Sequence, residues 1–351
     1  MNDKFTSFSF ASLLFVAGLA LDCDAAPPLY RVTEIGTFGG TTSVGFAINA
    51  SGDVVGRART ATGARHAFLF AGGVLSDLGT LGGTESSGNG VNNAGVIAGW
   101  ADVVGTSVTR SFRYAGALKD IGTLGGTSSA ADSINESGEI SGVSNIAGDA
   151  ADHAFVFSHR KMIDLGTLGG SNSSGFGLNN RGQVTGYSDI LGDSEAHAFV
   201  YRAGEMADLG TLGGSFSIGY QINNRGDIVG DSYTDGDAED HAFVYRKGKM
   251  TDLGTLGGFF SSAHGINGCG DITGTAETAD GDLHAFIVTA GVMHDLNALL
   301  DPMAGAGWVL IEALAINDAG QITGSGVING ARHGFVLTPM HAPARNDCGG
   351  D

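Results

Sequence analysis

One repeat of roughly 43 residues runs through nearly the whole chain. The pentapeptide Gly-Thr-Leu-Gly-Gly begins at Gly79, Gly122, Gly166, Gly210 and Gly254, with a near copy at Gly36. An asparagine three residues before a glycine recurs at Asn49, Asn92, Asn135, Asn179, Asn223, Asn267 and Asn317. These asparagines count seven copies, spaced by 43, 43, 44, 44, 44 and 50 residues. A length of 351 residues would otherwise suggest two or three domains, but internal repetition predicts a single repeat architecture.

Each copy contains four short strand signals separated by turn residues. In the fifth copy they span residues 218–223, 227–232, 241–245 and 250–254. Gly226 and Gly248 stand where tight hairpins need a positive φ. Four strands per copy, without helical periodicity, are typical of a propeller blade. The sequence therefore predicts an all-β fold, a seven-bladed β-propeller of four-stranded blades.

A linear β-solenoid is the alternative architecture for a helix-free repeat. The ends of the repeat region favour a ring, because residues 30–36 match the fourth strand of a copy whereas residues 334–337 match the third. We therefore expect the N-terminal strand to complete the last blade and close the ring. The Thr-Leu-Gly-Gly segments would then cross from the rim of one blade to the centre of the next. Acidic connections such as residues 234–240 would lie on the same face, where we expect function.

The N-terminus has the features of a secretory signal peptide. Lys4 precedes an apolar stretch over residues 10–21, and the small residues Ala25 and Ala26 follow. A retained membrane anchor is the alternative. We expect the protein to be secreted, extracellular or on the cell surface, with the periplasm as the other compartment considered.

Three segments follow from these features: a signal peptide at 1–26, the propeller at 27–339 and a flexible C-terminal tail at 340–351.

The net charge of −19 disfavours nucleic acid as a partner, because phosphates would be repelled. No later segment reaches the roughly 20 apolar residues of a membrane-spanning helix.

The repeat markers resemble the HAF repeat family, a group of bacterial repeats predicted to be extracellular. The tripeptide His-Ala-Phe, which names the family, begins at His66, His153, His197, His241 and His284. Variants stand in for it at Ser111-Phe112 and at His333-Gly334-Phe335. The last copy departs from the pattern, because residues 296–302 replace the usual crossing. The resemblance implies an extracellular location and this architecture, and it carries no established biochemical activity.

The repeated histidines could suggest metal binding or catalysis, but a residue present in nearly every copy is better explained by the fold. We expect each to hydrogen-bond an aspartate on the neighbouring strand, as His241 would bond Asp252. The structural residues predicted in this way are His66, His153, His197, His241 and His284, with Asp77, Asp164, Asp208 and Asp252.

The acidic connections contain the candidate binding residues. Asp235, Asp237 and Asp240 lie in one connection, and Asp280 and Asp282 lie in another. Carboxylates of this kind can bind calcium, but their spacing lacks the glycine and the glutamate of an EF-hand loop. A solvated turn is the preferred interpretation, with no metal or other cofactor expected.

Tryptophans and cysteines supply the remaining candidates. Trp308 could stack on a sugar ring if exposed, as could Trp100, although core packing is the commoner role of an aromatic residue in a repeat protein. Cys269 and Cys348 could form a disulfide in an oxidising compartment, and free thiols are the alternative.

No Gly-x-Ser-x-Gly or His-Glu-x-x-His motif is present, and no carboxylate pair stands out in a unique segment. We therefore expect a non-enzymatic binding or scaffolding module, a monomer whose extracellular partner is a protein or a glycan. A lectin-like propeller with equivalent sugar sites between blades is the first alternative. A polysaccharide hydrolase or lyase with its active site in the central funnel is the second, and the near identity of the blades counts against it.

Overall fold

The structure, a computed structural model, describes residues 27–105 and 108–341. Within these ranges the chain forms 28 β-strands and three short 3-10 helices, so the prediction of an all-β fold is confirmed. None of the helices in the described ranges is long and apolar enough to cross a membrane. The predicted signal peptide and most of the predicted C-terminal tail lie outside the described residues.

The strands of the N-terminal half are β1 (Tyr30–Glu34), β2 (Gly39–Ile48), β3 (Val54–Thr60), β4 (Arg65–Ala71), β5 (Val74–Gly79), β6 (Gly82–Val91), β7 (Ile97–Val103), β8 (Thr109–Tyr114), β9 (Leu118–Asp120), β10 (Gly125–Ile134), β11 (Ile140–Ile146), β12 (Asp152–Ser158) and β13 (Lys161–Asp164). Those of the C-terminal half are β14 (Gly169–Leu178), β15 (Val184–Ile190), β16 (Ala196–Arg202), β17 (Glu205–Asp208), β18 (Gly213–Ile222), β19 (Ile228–Thr234), β20 (Asp240–Arg246), β21 (Lys249–Asp252), β22 (Gly257–Ile266), β23 (Ile272–Thr278), β24 (Leu283–Thr289), β25 (Val292–Asp295), β26 (Val309–Ile316), β27 (Ile322–Ile328) and β28 (Ala331–Pro339). The 3-10 helices span Ala147–Asp149, Asp235–Asp237 and Leu296–Leu299.

The strands pair antiparallel in groups of four. Six groups follow chain order: β2–β5, β6–β9, β10–β13, β14–β17, β18–β21 and β22–β25. A further group brings together the two ends of the repeat region, because β1 pairs with β28, β28 with β27 and β27 with β26. Single parallel bridge pairs, Ala196 with Phe216 and Asp240 with Phe260, link adjoining groups.

The apolar core lies between neighbouring sheets. A phenylalanine in the third strand of each group is fully buried: Phe68, Phe112, Phe155, Phe199, Phe243, Phe286 and Phe335. Around Phe243, Ala198 and Val200 of the preceding group pack with Ile222 and Ile228. Full burial of one such side chain contributes roughly 1.5–3 kcal/mol. The apolar side chains that form the core thus lie between the sheets. The first strands can therefore carry polar side chains at positions outside this core.

The first strand of the fifth copy begins earlier than predicted. The sequence predicts a strand at 218–223, whereas β18 begins at Gly213, so both glycines of the Thr-Leu-Gly-Gly segment lie within the strand. Gly213 has a φ of +112°, and a Cβ on Gly214 would lie 2.6 Å from the Cβ of Tyr233. The glycines therefore permit the close approach of β18 and β19. The other three strands of the copy agree with the prediction to within two residues at each end.

A series of hydrogen bonds connects the repeated asparagines and returns to its start. The side-chain amide nitrogen of each asparagine donates to the backbone carbonyl oxygen of the next, at 2.9–3.3 Å. This asparagine ring consists of Asn49, Asn92, Asn135, Asn179, Asn223, Asn267 and Asn317. Asn223 Oδ1 also accepts from the backbone N–H groups of Arg225 and Asp227 at 3.0 Å. Each asparagine thus forms its own hairpin turn and binds the neighbouring one.

Candidate functional site

A cavity of about 1230 Å³ lies among the first strands of the groups. Its wall includes residues from β2, β6, β10, β14, β18, β22 and β26, and from the hairpins that carry the asparagine ring. Small-molecule sites are concave and of comparable size. This central cavity is therefore the candidate ligand site.

One position on each first strand, three residues before the repeated asparagine, lines the central cavity. These residues, the cavity ring, are Phe46, Asn89, Asp132, Phe176, Tyr220, His264 and Leu314. The residue directly before the asparagine, by contrast, is Ile, Val or Leu in every copy. The cavity ring therefore differs from copy to copy within a repeated frame. The near identity of the copies therefore does not extend to this position.

Aromatic side chains form one part of the cavity ring. The ring centroids of Phe176 and Tyr220 lie 5.7 Å apart, and those of Tyr220 and His264 lie 4.9 Å apart. Tyr187 extends the series, 6.2 Å from Phe176. Offset and tilted contacts of this kind are favourable between aromatic rings. Burial lowers the pKa of His264 to about 4, against the attraction of Glu312, so its imidazole is neutral at pH 7.

Asp132 and Asn89 form a polar part of the cavity ring. Asn89 Nδ2 donates to the backbone oxygen of Ala131 at 2.9 Å and lies 3.4 Å from Asp132 Oδ1. Ser87 Oγ donates to Asn89 Oδ1 at 2.7 Å and so fixes the orientation of the amide. Burial raises the pKa of Asp132 to about 7, although the hydrogen bond from Asn89 lowers it. Near neutral pH, Asp132 can therefore either donate or accept a hydrogen bond.

A second carboxyl group, that of Asp231, contacts Tyr220. Ser262 Oγ donates to Asp231 Oδ1 at 2.5 Å. Burial, together with the negative charge of Asp240, raises the pKa of Asp231 to about 7, against the hydrogen bonds from Ser262 and Tyr220. Burial also raises the pKa of Asp240 to about 6, against the attraction of His241. Burial, followed by these two carboxylates, raises the pKa of Tyr220, so its hydroxyl stays protonated.

Two arginines of the cavity wall are paired with glutamates. Arg65 Nε lies 2.6 Å from Glu85 Oε2, and Arg332 Nη2 lies 2.6 Å from Glu312 Oε1. Both arginines line the central cavity. Their charges are therefore balanced locally.

The side chain of Arg57 also lines the cavity but forms neither a hydrogen bond nor an ion pair with any residue in the described ranges. Its guanidinium carbon lies 5.3 Å from the ring centroid of Phe46. Burial lowers the pKa of Arg57, and the positive charges of Arg65 and Arg332 lower it as well, against the attraction of Glu85 and Glu312. We call Arg57, Arg65, Arg332 and Phe46 the arginine corner of the cavity.

The predicted histidine and aspartate residues meet away from the cavity. His241 Nδ1 lies 2.9 Å from Asp252 Oδ2, and Asp252 Oδ1 accepts from the backbone N–H of Gly254 at 2.7 Å. The register partner of Asp252 is Phe243, two residues after the histidine, so the contact is diagonal. Contacts of 2.8–2.9 Å recur in His66–Asp77, His153–Asp164, His197–Asp208 and His284–Asp295. The pairs therefore lie where they can hold the turn after each fourth strand.

The acidic binding candidates are Asp235, Asp237, Asp240, Asp280 and Asp282, and none of them lines the central cavity. Asp237 accepts from the backbone N–H and the hydroxyl of Ser215, at 2.7 and 2.9 Å, and so ties its connection to β18. Within residues 27–105 and 108–341, no group of three or more His, Cys, Asp or Glu side chains is placed to hold a metal ion. The solvated turn expected for these connections, with calcium binding as its alternative, stays a prediction.

Trp308 packs edge to face against Phe335, with ring centroids 6.1 Å apart, and adjoins an apolar cluster of the last group. Trp100, in contrast, lines the central cavity.

Cys269 is disulfide-bonded. Cys348 lies outside the described residues, so the pairing of these two cysteines stays a prediction.

No family model matches the chain, and no curated protein matches it significantly. The chain is similar in structure to the β-propeller domain of the Trilobed protease from Pyrococcus furiosus, at 9% sequence identity and a TM-score of 0.55. The superposition covers 92% of this chain and 100% of that domain. A puromycin-hydrolyzing peptidase from Mycobacterium tuberculosis, also 9% identical, covers 92% of this chain and 56% of its own, with a TM-score of 0.56. TolB from Acinetobacter baumannii, 13% identical, covers 83% of this chain and 64% of its own, with a TM-score of 0.49.

The chain has a β-propeller fold. It spans less than two thirds of the TolB structure and of the peptidase. At these identities the similarity concerns the fold alone.

Proposed function

We propose that this protein is an exported, seven-bladed β-propeller of the HAF repeat type that binds a ligand in its central cavity. Closure of the blades into a ring is part of the proposal. It is supported by the pairing of β1 with β28 and by the hydrogen bond from Asn317 to Asn49. Export is supported by the signal-like segment at 1–26.

The observation that carries the proposed binding function is the cavity ring. A residue with a structural role in a repeat is needed in every copy. The buried asparagines and phenylalanines recur in this way. The cavity-ring position instead holds Phe, Asn, Asp, Phe, Tyr, His and Leu in chain order. Side chains that differ while facing one cavity create a site with a single orientation for its ligand.

Binding accounts for the cavity ring better than catalysis or a set of equivalent lectin sites. Asn89 contacts Asp132 and Tyr220 contacts His264, so the polar groups of the ring are engaged with one another rather than arranged as a nucleophile beside a base. Equivalent sugar sites between blades would need the same side chains in each copy. A single composite site fits the varied ring.

Thermal unfolding in the presence of neutral and acidic saccharides, short peptides and nucleotides tests this function, because a ligand of the folded state raises the midpoint. Leu314→Trp enlarges a side chain of the cavity ring. Val292→Trp, on the exposed surface of β25, is the matched control.

We expect at least one ligand class to raise the midpoint of the wild-type protein and of Val292→Trp, and to lose its effect on Leu314→Trp. A midpoint shift that survives in Leu314→Trp contradicts a site in the cavity. Absence of a shift with every class contradicts a binding function for it.

A further inference from the structure

The arginine corner gives the central cavity a specific electrostatic character. We propose that Arg57 binds the carboxylate of an acidic sugar, a uronic acid residue of a short oligosaccharide. This inference rests on the proposed function and names the ligand class of the same cavity.

The charges around Arg57 are incompletely balanced. The corner and its ion-pair partners contain three arginines and two glutamates, Glu85 and Glu312. Arg65 and Arg332 take these glutamates at 2.6 Å, which leaves Arg57 without a partner among the described residues. Both glutamates still attract Arg57, but neither forms an ion pair with it. A half-buried charge without a directly paired counter-ion is costly to hold in a folded protein. An anion that enters the cavity would offset this cost.

The position of the Arg57 side chain is set before any ligand arrives. Its guanidinium group lies over the ring of Phe46, at 5.3 Å, in a cation–π contact. A planar guanidinium can donate two parallel hydrogen bonds to a carboxylate, which gives both affinity and orientation. Arg57 is therefore suited to a carboxylate more than to a diffuse negative charge.

The surroundings of Arg57 are suited to a sugar. Trp100 stands at the equivalent position of the next copy, since Arg57 pairs with Val44 and Trp100 with Ser87 in the same register. Trp100 lines the cavity, and an indole face can pack against the C–H face of a sugar ring.

Asn89 and Asp132 follow in the cavity ring, and the lone pairs of their side-chain oxygens that are not used in the contacts described above can accept from sugar hydroxyl groups. A carboxylate, an apolar ring face and several hydroxyls occur together in a uronic acid residue.

The net charge of the whole chain limits the ligand further. A net charge of −19 repels long polyanions, because the electrostatic field of the whole protein acts well beyond direct contacts. Seven first strands line the cavity. A ligand with few charges therefore fits better than a long acidic polymer.

Calorimetric titration of the purified protein with trigalacturonate, galactotriose and triglutamate tests the inference. We expect trigalacturonate to bind most tightly, and Arg57→Gln to weaken it about 10- to 100-fold, the effect of losing hydrogen bonds to a charged group. Arg202→Gln removes the same charge at an exposed position outside the cavity and should leave the affinity unchanged.

The variant is expected to fold. Because the folded environment lowers the pKa of Arg57 and so disfavours its charged form, Arg57→Gln should unfold at or above the wild-type midpoint. A melting curve of each variant therefore separates a loss of binding from a loss of structure.

Three results would overturn the inference. If galactotriose binds as tightly as trigalacturonate and Arg57→Gln changes neither affinity, the site does not recognise a carboxylate. The proposed function would then still hold, provided that Leu314→Trp abolishes the binding of galactotriose. If triglutamate binds more tightly than either saccharide, the site is a peptide site. If none of the three binds, the uronic acid assignment is wrong.

Discussion

The side-chain amide of Asn317 donates a 2.9 Å hydrogen bond to the backbone carbonyl of Asn49, 268 residues earlier in the chain. The same bond links every adjoining pair of repeated asparagines, so the last and first copies are joined as any two neighbours are. Asn317 Oδ1 also accepts from the backbone N–H of Gln321 at 2.9 Å. A buried amide is suited to this position because it both donates and accepts.

Asn317→Asp should therefore destabilise the protein by about 2–3 kcal/mol, because the new carboxylate cannot donate to Asn49 and places a charge beside a carbonyl oxygen. Asn224→Asp is the matched control. The residue equivalent to Asn224 in the last copy is already an aspartate, Asp318, which accepts from the backbone N–H of Gly268 at 2.7 Å. An aspartate at position 224 should therefore be tolerated. Chemical denaturation measures both variants, and equal stabilities for the two would contradict a role for the ring in closure.

Asp252→Asn tests the histidine–aspartate pairs. Asp252 accepts both from His241 and from the N–H of Gly254, and the amide keeps only one acceptor atom. We expect a loss of about 0.5–1.5 kcal/mol, the usual contribution of one hydrogen bond. Asp235→Asn, in an exposed connection, should be neutral. A melting midpoint that does not change in Asp252→Asn would remove the proposed structural role.

Asp132 should make stability depend on pH. Burial raises its pKa in the folded state to about 7, above the value near 3.9 of an unfolded chain. The protonated form therefore favours folding fully below about pH 4, and this contribution is lost as the pH rises through 7. Asp132→Asn should thus gain stability relative to wild type between pH 5 and pH 8.

Melting curves at both pH values measure this difference. Asp280→Asn, at an exposed carboxylate, should show the same offset from wild type at each pH. An Asp132→Asn offset that is constant between pH 5 and pH 8 would show that Asp132 is not held in a desolvated site.

The disulfide of Cys269 predicts a simple result in mass spectrometry. Without reductant, alkylation of the unfolded protein should leave Cys269 unmodified, and reduction should expose it. Peptide mapping would identify the partner, which we predict to be Cys348. Labelling of Cys269 before reduction would contradict the bond.

The repeat itself identified most of the fold. Periodic Asn, Gly and His-Ala-Phe markers predicted four strands per copy, because turn chemistry and apolar alternation are local properties. The start of β18 was predicted five residues late, at 218 instead of Gly213. Glycine weakens a strand signal, and these glycines are explained by the positive φ of Gly213 and by the close approach of Tyr233 to Gly214.

The candidate site could not be found from the same markers. A repeat alignment draws attention to positions that recur, whereas the cavity ring consists of residues that do not. The one available signal was the position three residues before each asparagine. It holds Phe46, Asp132 and His264 in three of the copies, whereas the position directly before each asparagine holds Ile, Val or Leu in every copy. That these side chains line one cavity depends on the packing of copies 43 or more residues apart, which no local pattern reports.

The most direct test of a single composite site is the stoichiometry of binding. Calorimetric titration of the purified protein with trigalacturonate should give one ligand per chain, and Leu314→Trp should abolish the binding. Seven ligands per chain would indicate equivalent sites between blades, and one ligand that still binds Leu314→Trp would place the site outside the cavity. Either result would contradict our account of the central cavity.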